Sequence, residues 1–158
     1  MPKTLFILND PPYGTERSYN ALRLAGSLSK REGEEVKVFL IGDAASCAKK
    51  DQKVPQGYYN AEIMLRNVGR HGGEIGVCAT CMDARGIADP ELTDTTHRSS
   101  LEELTNWVQW ADRSCSRRKA KTPWLTRRPF SFWAVASAES RPRVHSASAC
   151  AKSTTLCS

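Results

Sequence analysis

The segment 3–41, KTLFILNDPPYGTERSYNALRLAGSLSKREGEEVKVFLI, sets two apolar runs on either side of one helical pattern. Lys3 to Asn9 is a short apolar run, stopped by the turn residues Asp10-Pro11-Pro12-Tyr13-Gly14. From Thr15 to Lys30 the period changes, and Tyr19, Leu22, Ala25 and Leu28 recur on one helical face until Gly33. Val36-Lys37-Val38-Phe39-Leu40-Ile41 is a second strand pattern, stopped by Gly42-Asp43. Strand, helix and strand of these lengths predict a parallel pair with its crossover.

The alternation continues outward. A short helix is expected from Ala44 to Lys49 and a mobile polar loop from Lys50 to Tyr59. Ala61 to Val68 reads as a helix with Ile63, Met64 and Val68 inward, ending at Gly72-Gly73. Glu74 to Cys78 is a third strand, Asp83 to Ile87 a helical turn, and Glu91 to Thr95 a weak fourth strand. The last helix is announced by Ser99 and Ser100, each three residues before Glu102 or Glu103; either pair makes a capping box. Leu101, Leu104, Val108 and Ala111 then recur at helical spacing. The expected architecture is α/β, a mainly parallel sheet of four to five strands covered on both faces. Such sheets gather functional groups at the carboxyl ends of their strands, here the loops 9–15, 42–47 and 78–85.

A chain of 158 residues suits one domain, and 40% apolar with 25% charged residues suits a core inside a solvated surface. No stretch approaches the roughly 18 apolar residues that a membrane helix needs. Leu5 to Leu8 is too short for a signal-peptide core and lacks a small-residue cleavage site after it, so a cytoplasmic setting without a membrane partner is expected. The net charge of +6 is unevenly spread. Residues 113–158 hold ten Lys or Arg and one acid, Glu139, while residues 1–112 hold 13 basic and 16 acidic groups. The expected organisation is an α/β domain over 1–112 and a basic, disordered tail over 113–158. That tail has Arg and Lys for phosphates and Trp124 and Trp133 for stacking, as disordered basic stretches do by default, so a nucleic-acid partner is not expected.

Of the six cysteines, Cys47, Cys78, Cys81, Cys115, Cys150 and Cys157, only Cys78-Ala79-Thr80-Cys81 has a spacing that carries chemistry. Where a strand ends and a helical turn begins, backbone N–H groups can face the sulfur. With Arg85 close in sequence, this favours a thiolate able to attack sulfane sulfur, exchange with a disulfide or bind metal. The bland reading makes Cys78 a small buried hydrophobe and the spacing chance. Zinc would need four ligands and no second pair stands at suitable spacing; His71 and His97 read as surface residues. No metal and no cofactor are expected. Cys47 reads as a packed helix residue. Asp10 and Tyr13 either line a pocket beside Cys78 or only shape the turn.

The segment Gly76-Val77-Cys78-Ala79-Thr80-Cys81-Met82-Asp83-Ala84-Arg85-Gly86-Ile87 resembles the cysteine loop of the DsrE family of small sulfur-relay proteins. Leu5 to Gly14 resembles the family's first strand and loop, and Leu101 to Val108 its last helix, so the likeness spans about residues 3–112. The resemblance implies a three-layer α/β/α fold, assembly into trimers or hexamers, and a cysteine that carries sulfur as a persulfide. Cys78 occupies that position. A sulfurtransferase-type carrier with donor and acceptor proteins follows from the likeness; a non-catalytic binding or assembly subunit of the same fold is the alternative. Arg85 would stabilise the anion, with Asp83 beside the site. Cys81 would resolve the persulfide, tune the thiol, or take no part.

One departure is plain. Family members close with a short apolar strand after an Ala-Asp pair, whereas Ala111-Asp112 is followed here by Arg113-Ser114-Cys115-Ser116-Arg117-Arg118. Its polarity predicts that the last strand is missing and that the terminus is replaced or read out of frame.

Overall fold

Leu5, Phe6, Ile7 and Leu8 are all buried, which a strand achieves only when both of its faces are covered. They belong to β1 (Lys3–Leu8) in a computed structural model that describes residues 1–116 of the chain. The elements that follow are α1 (Glu16–Leu28), β2 (Glu35–Leu40), a 3-10 segment (Gly42–Ala48), α2 (Ala61–Arg70), β3 (Glu74–Cys78) and α3 (Ala79–Asp83). A short 3-10 turn (Asp89–Glu91), β4 (His97–Ser99), α4 (Leu101–Trp110) and β5 (Arg113–Ser116) complete them. The five strands form one sheet in the order β4-β3-β2-β1-β5, every pair parallel.

Connection handedness explains the layers. The chain steps from β1 to β4 in one direction, so right-handed crossovers put α1 and α2 on the same face. The return from β4 to β5 runs past three strands the other way, which places α4 on the opposite face. Phe6, Leu8, Val38, Leu40 and Val77 pack with Leu22, Leu65 and Val68 of the first layer. Leu5, Ile7 and Phe39 pack with Leu104 and Trp107 of α4. The α/β fold with both faces covered is the one the alternation predicts. Among the described residues no helix is long and apolar enough to cross a membrane.

The local departures have physical causes. In α2 the buried apolar positions are Ala61, Leu65 and Val68, and Ile63 is 64% exposed. In α4 Leu104 and Trp107 turn inward while Leu101 is 65% exposed. The helical turn expected over 83–87 begins earlier, directly after Cys78, and its exit is taken by Gly86 at φ +61. Residues 91–95 are not the fourth strand. Glu91 turns back to accept from the Ala88 N–H, and Leu92 makes an antiparallel bridge with Lys49. The strand comes later, at His97–Ser99, on the sheet edge. The 50–59 stretch carries no regular element, as expected, but is tied at both ends. The Gln52 side chain donates to the carbonyls of Cys47 and Lys49, and the Asn60 amide donates to that of Gln52.

The expectation of a missing last strand is overturned. Arg113–Ser116 pairs with Thr4–Ile7 of β1, led in by the Asp112 N–H on the Lys3 carbonyl at 3.0 Å. An edge strand needs one backbone ladder and little apolar surface. Only Cys115 is half-buried; Arg113, Ser114 and Ser116 are exposed. The tail beyond Ser116, with its expected disorder, lies outside the described residues.

Candidate functional site

Cys78 ends β3 and is the N-cap of α3, with φ −58 and ψ 117. The chain therefore passes from strand to helix with no intervening loop, and the thiol stands where the first helical N–H groups are unpaired. The Thr80 hydroxyl lies 3.3 Å from Cys78 Sγ. Burial pushes the Cys78 thiol up, but hydrogen bonds from the Cys81 thiol, the Thr80 hydroxyl and the backbone N–H groups of both residues outweigh it and hold the thiol below its ordinary range. Cys81 is the reciprocal case. Burial and the Cys78 sulfur raise it, while the Gly42 N–H and Arg85 pull it down less strongly. Of the two sulfurs, Cys78 is thus the one that gives up its proton first and Cys81 the one that keeps it.

The Gly42 N–H donates to Cys81 Sγ at 3.1 Å. Gly42 sits at φ +63, a conformation that suits glycine and aims this N–H across to α3. Arg85 clamps the two loops together, donating to the Cys81 carbonyl at 3.0 Å and to Asp43 at 2.6 Å. The loops after β2 and β3 thus converge, as the strand-end rule predicts.

The other expected site residues are dispersed. Arg85 acts on Cys81 and Asp43 and has no hydrogen bond to Cys78 among the described residues. Asp83 is exposed and pairs with Arg98. Asp10 pairs with Arg17 at 3.4 Å and lines a cavity of about 180 Å³ between α1 and the β1–β5 edge, walled by Phe6, Leu8, Leu24 and Cys115. Tyr13 donates to Gln52 at 2.6 Å, and its ring meets Tyr59, which stacks on Tyr19. The first loop is thus bound to the Gln52 segment and to α1.

Thr80, Gly42 and Asp43 join the site without having been singled out from the sequence. A hydroxyl two residues past a helix-capping thiol was the one available signal; a glycine read as a turn gave none. Burial pushes the Cys47 thiol up to about 12, which makes it the inert packed residue expected, and Cys115 is raised by burial as well. Among the described cysteines only Cys78 is shifted toward the thiolate. Among the described residues no group of three or more His, Cys, Asp or Glu is arranged to hold a metal ion. His71 faces the Asn67 carbonyl and His97 pairs with Glu103.

Comparison with known proteins agrees with this fold. A family model, the DsrE/DsrF-like family, matches residues 2–114. YchN of Escherichia coli K12 is 35% identical over 114 residues, which cover 72% of this chain and 97% of that protein. An uncharacterised protein of Methanopyrus kandleri is 36% identical over 106 residues, covering 67% of this chain and 86% of the relative. The crystal structure of the Escherichia coli YchN protein superposes with a TM-score of 0.68 at 35% identity, covering 72% of this chain and 97% of that one. A protein of unknown function from Methanobacterium thermoautotrophicum superposes at 0.56 with 10% identity and the same coverage, a likeness of fold alone.

Proposed function

This chain belongs to the DsrE/DsrF-like family, and from that premise we propose that Cys78 carries sulfane sulfur as a persulfide between a donor and an acceptor protein. The observation that carries this reading is the state of the thiol. Cys78 is only partly buried, ends a strand, and receives a thiol, a hydroxyl and two N–H groups that favour its anion. The Cys78 thiolate attacks the terminal sulfur of a donor persulfide; the donor S–S bond breaks and the donor leaves as a thiolate. An acceptor thiolate then attacks the outer sulfur of the Cys78 persulfide, and Cys78 leaves as the thiolate it was. The same hydrogen bonds serve both halves, because stabilising the thiolate makes it more available for attack and a better leaving group. Sulfur moves as a neutral atom between thiolates, so the steps balance without a further reactant.

The experiment is mass spectrometry of the intact protein and its peptides after exposure to a sulfane-sulfur donor. A gain of one sulfur on the Cys78 peptide, removed by reductant and absent in Cys78→Ser, is the expected result. A folded protein whose Cys78 neither gains sulfur nor enters a disulfide with release of sulfide removes the carrier reading. Assembly into a trimer or hexamer belongs to the same proposal; Ile63 and Leu101 are apolar side chains that an interface would cover. Light scattering that returns a monomer would remove that part.

A further inference from the structure

Cys78 and Cys81 cap and occupy the same helical turn, at the N-cap and three residues on. Cα atoms three residues apart in a helix lie about 5 Å apart, within the roughly 4.4–6.8 Å that disulfides bridge between Cα atoms. The Cys81 sulfur is not free to turn away. The Gly42 N–H holds it at 3.1 Å, and Arg85 fixes the Cys81 carbonyl to the loop that bears Gly42 through Asp43. In that position its sulfur and that of Cys78 each bear on the other's hold on its proton. When Cys78 becomes a persulfide the new sulfur is added beyond Sγ, so the inner sulfur stays beside Cys81.

We propose that the loaded site has a second outcome: Cys81 attacks the inner sulfur of the Cys78 persulfide, expels hydrosulfide and closes a Cys78–Cys81 disulfide. This rests on Cys78 being the sulfur carrier. The bond between Cys78 Sγ and the outer sulfur breaks as the bond between the two Sγ atoms forms. The proton of the Cys81 thiol passes to the outer sulfur of the persulfide anion, which leaves as HS⁻ with the electron pair of the broken bond. The sulfane sulfur is reduced by two electrons and the two cysteines are oxidised by two. The Gly42 N–H supports the charge that develops on Cys81 as its proton leaves. A dithiol reductant reopens the disulfide. The protein is then also a dithiol-dependent reductase of sulfane sulfur, and the disulfide closes the site to further loading until it is reduced. An acceptor thiolate competes by taking the outer sulfur, while Cys81 has the advantage of being intramolecular.

The test loads the full chain with inorganic polysulfide, removes excess by gel filtration without oxygen or thiol, and follows free sulfide and peptide masses together. The wild-type protein is expected to release one sulfide for each Cys78–Cys81 disulfide formed, and a dithiol to restore both thiols. Cys81→Ser and Cys81→Ala are expected to keep the sulfur on Cys78 and to lose sulfide release until a thiol is added. A wild-type persulfide that persists on Cys78 without a disulfide, or a Cys81→Ser protein that releases sulfide at the wild-type rate, overturns the proposal and leaves the carrier reading intact. If Cys78 takes up no sulfur in any of these proteins, both fall. The wild-type arm needs no variant, so misfolding of a substituted chain cannot mask the answer.

Discussion

At the scale of single residues, the two sulfurs on α3 are split by their hydrogen bonds rather than by exposure, since both are partly buried. Alkylation by iodoacetamide should therefore titrate at Cys78 below the roughly 8.5 of an ordinary thiol. Thr80→Ala, which removes the hydroxyl at 3.3 Å, should move that midpoint upward. Coincident curves for the two proteins would show that Thr80 does not favour the anion. Cys47 titrates in the opposite sense. It is fully buried, and burial raises its thiol to about 12, with the Ser18 hydroxyl opposing more weakly. Its folded pKa lies above its unfolded one, so its contribution is complete below about 8.5 and is lost as pH rises toward 12. Between those values the folded protein keeps a proton that the unfolded chain has released, and stability falls with a slope of up to about 1.4 kcal/mol per pH unit. Urea melts from pH 9 to 11 should show that slope, and Cys47→Ala should flatten it while lowering stability throughout. Equal slopes would place the alkaline loss elsewhere.

At the scale of elements, α4 shows how a sequence signal can be right in kind and ambiguous in place. Ser99 and Ser100 both offer a capping box, and the structure separates them. Ser100 accepts from the Glu103 N–H at 3.2 Å as the N-cap, whereas Ser99 is buried as the last residue of β4 and donates to the Glu103 carboxylate. Ser100→Ala should cost about 1 kcal/mol and Ser100→Asp little or nothing; denaturant melts with equal midpoints for wild type and Ser100→Ala would remove the cap. The same contrast explains what was legible. β1, β2 and β3 are central or nearly so, buried on both faces, and wrote themselves as apolar runs. The edge strands β4 and β5 read His-Arg-Ser and Arg-Ser-Cys-Ser, because an edge is held by its ladder and needs no apolar side chains. The inner faces of α2 and α4 are legible at Val68 and Leu104 but not at Ile63 and Leu101, where the first turn of a helix can be apolar and still face water. The cysteine pair was legible from spacing alone. Gly42 was not, since its part is played by a backbone N–H from a loop 39 residues away in sequence.

At the scale of the whole molecule, the order β4-β3-β2-β1-β5 makes β5 the strand that keeps β1 off the edge. Leu5 and Ile7 of β1 sit in the α4 core and Phe6 and Leu8 in the opposite one, so an opened β1 edge would weaken both. Yet among the described residues β5 is held by only four paired positions, two 3.0 Å lead-in bonds between Lys3 and Asp112, and a contact of Arg113 with Glu34 at 3.9 Å. Its one inward side chain, Cys115, is small and walls the cavity of about 180 Å³ against α1. A strand so lightly packed leaves the sheet intact but poorly secured along that side. The full chain is therefore expected to melt cooperatively below about 60 °C, within the mesophile range. A chain ended after Ser116 should melt close to it, whereas one ended after Asp112 loses the β5 ladder and should melt lower, by on the order of 4 °C for each kcal/mol lost. Calorimetry on the three chains decides the matter. Indistinguishable melts for the chains ended at Asp112 and Ser116 would mean that β5 contributes nothing to the fold. A full-chain melt above 60 °C would mean that the cavity side is better secured than the contacts of β5 allow.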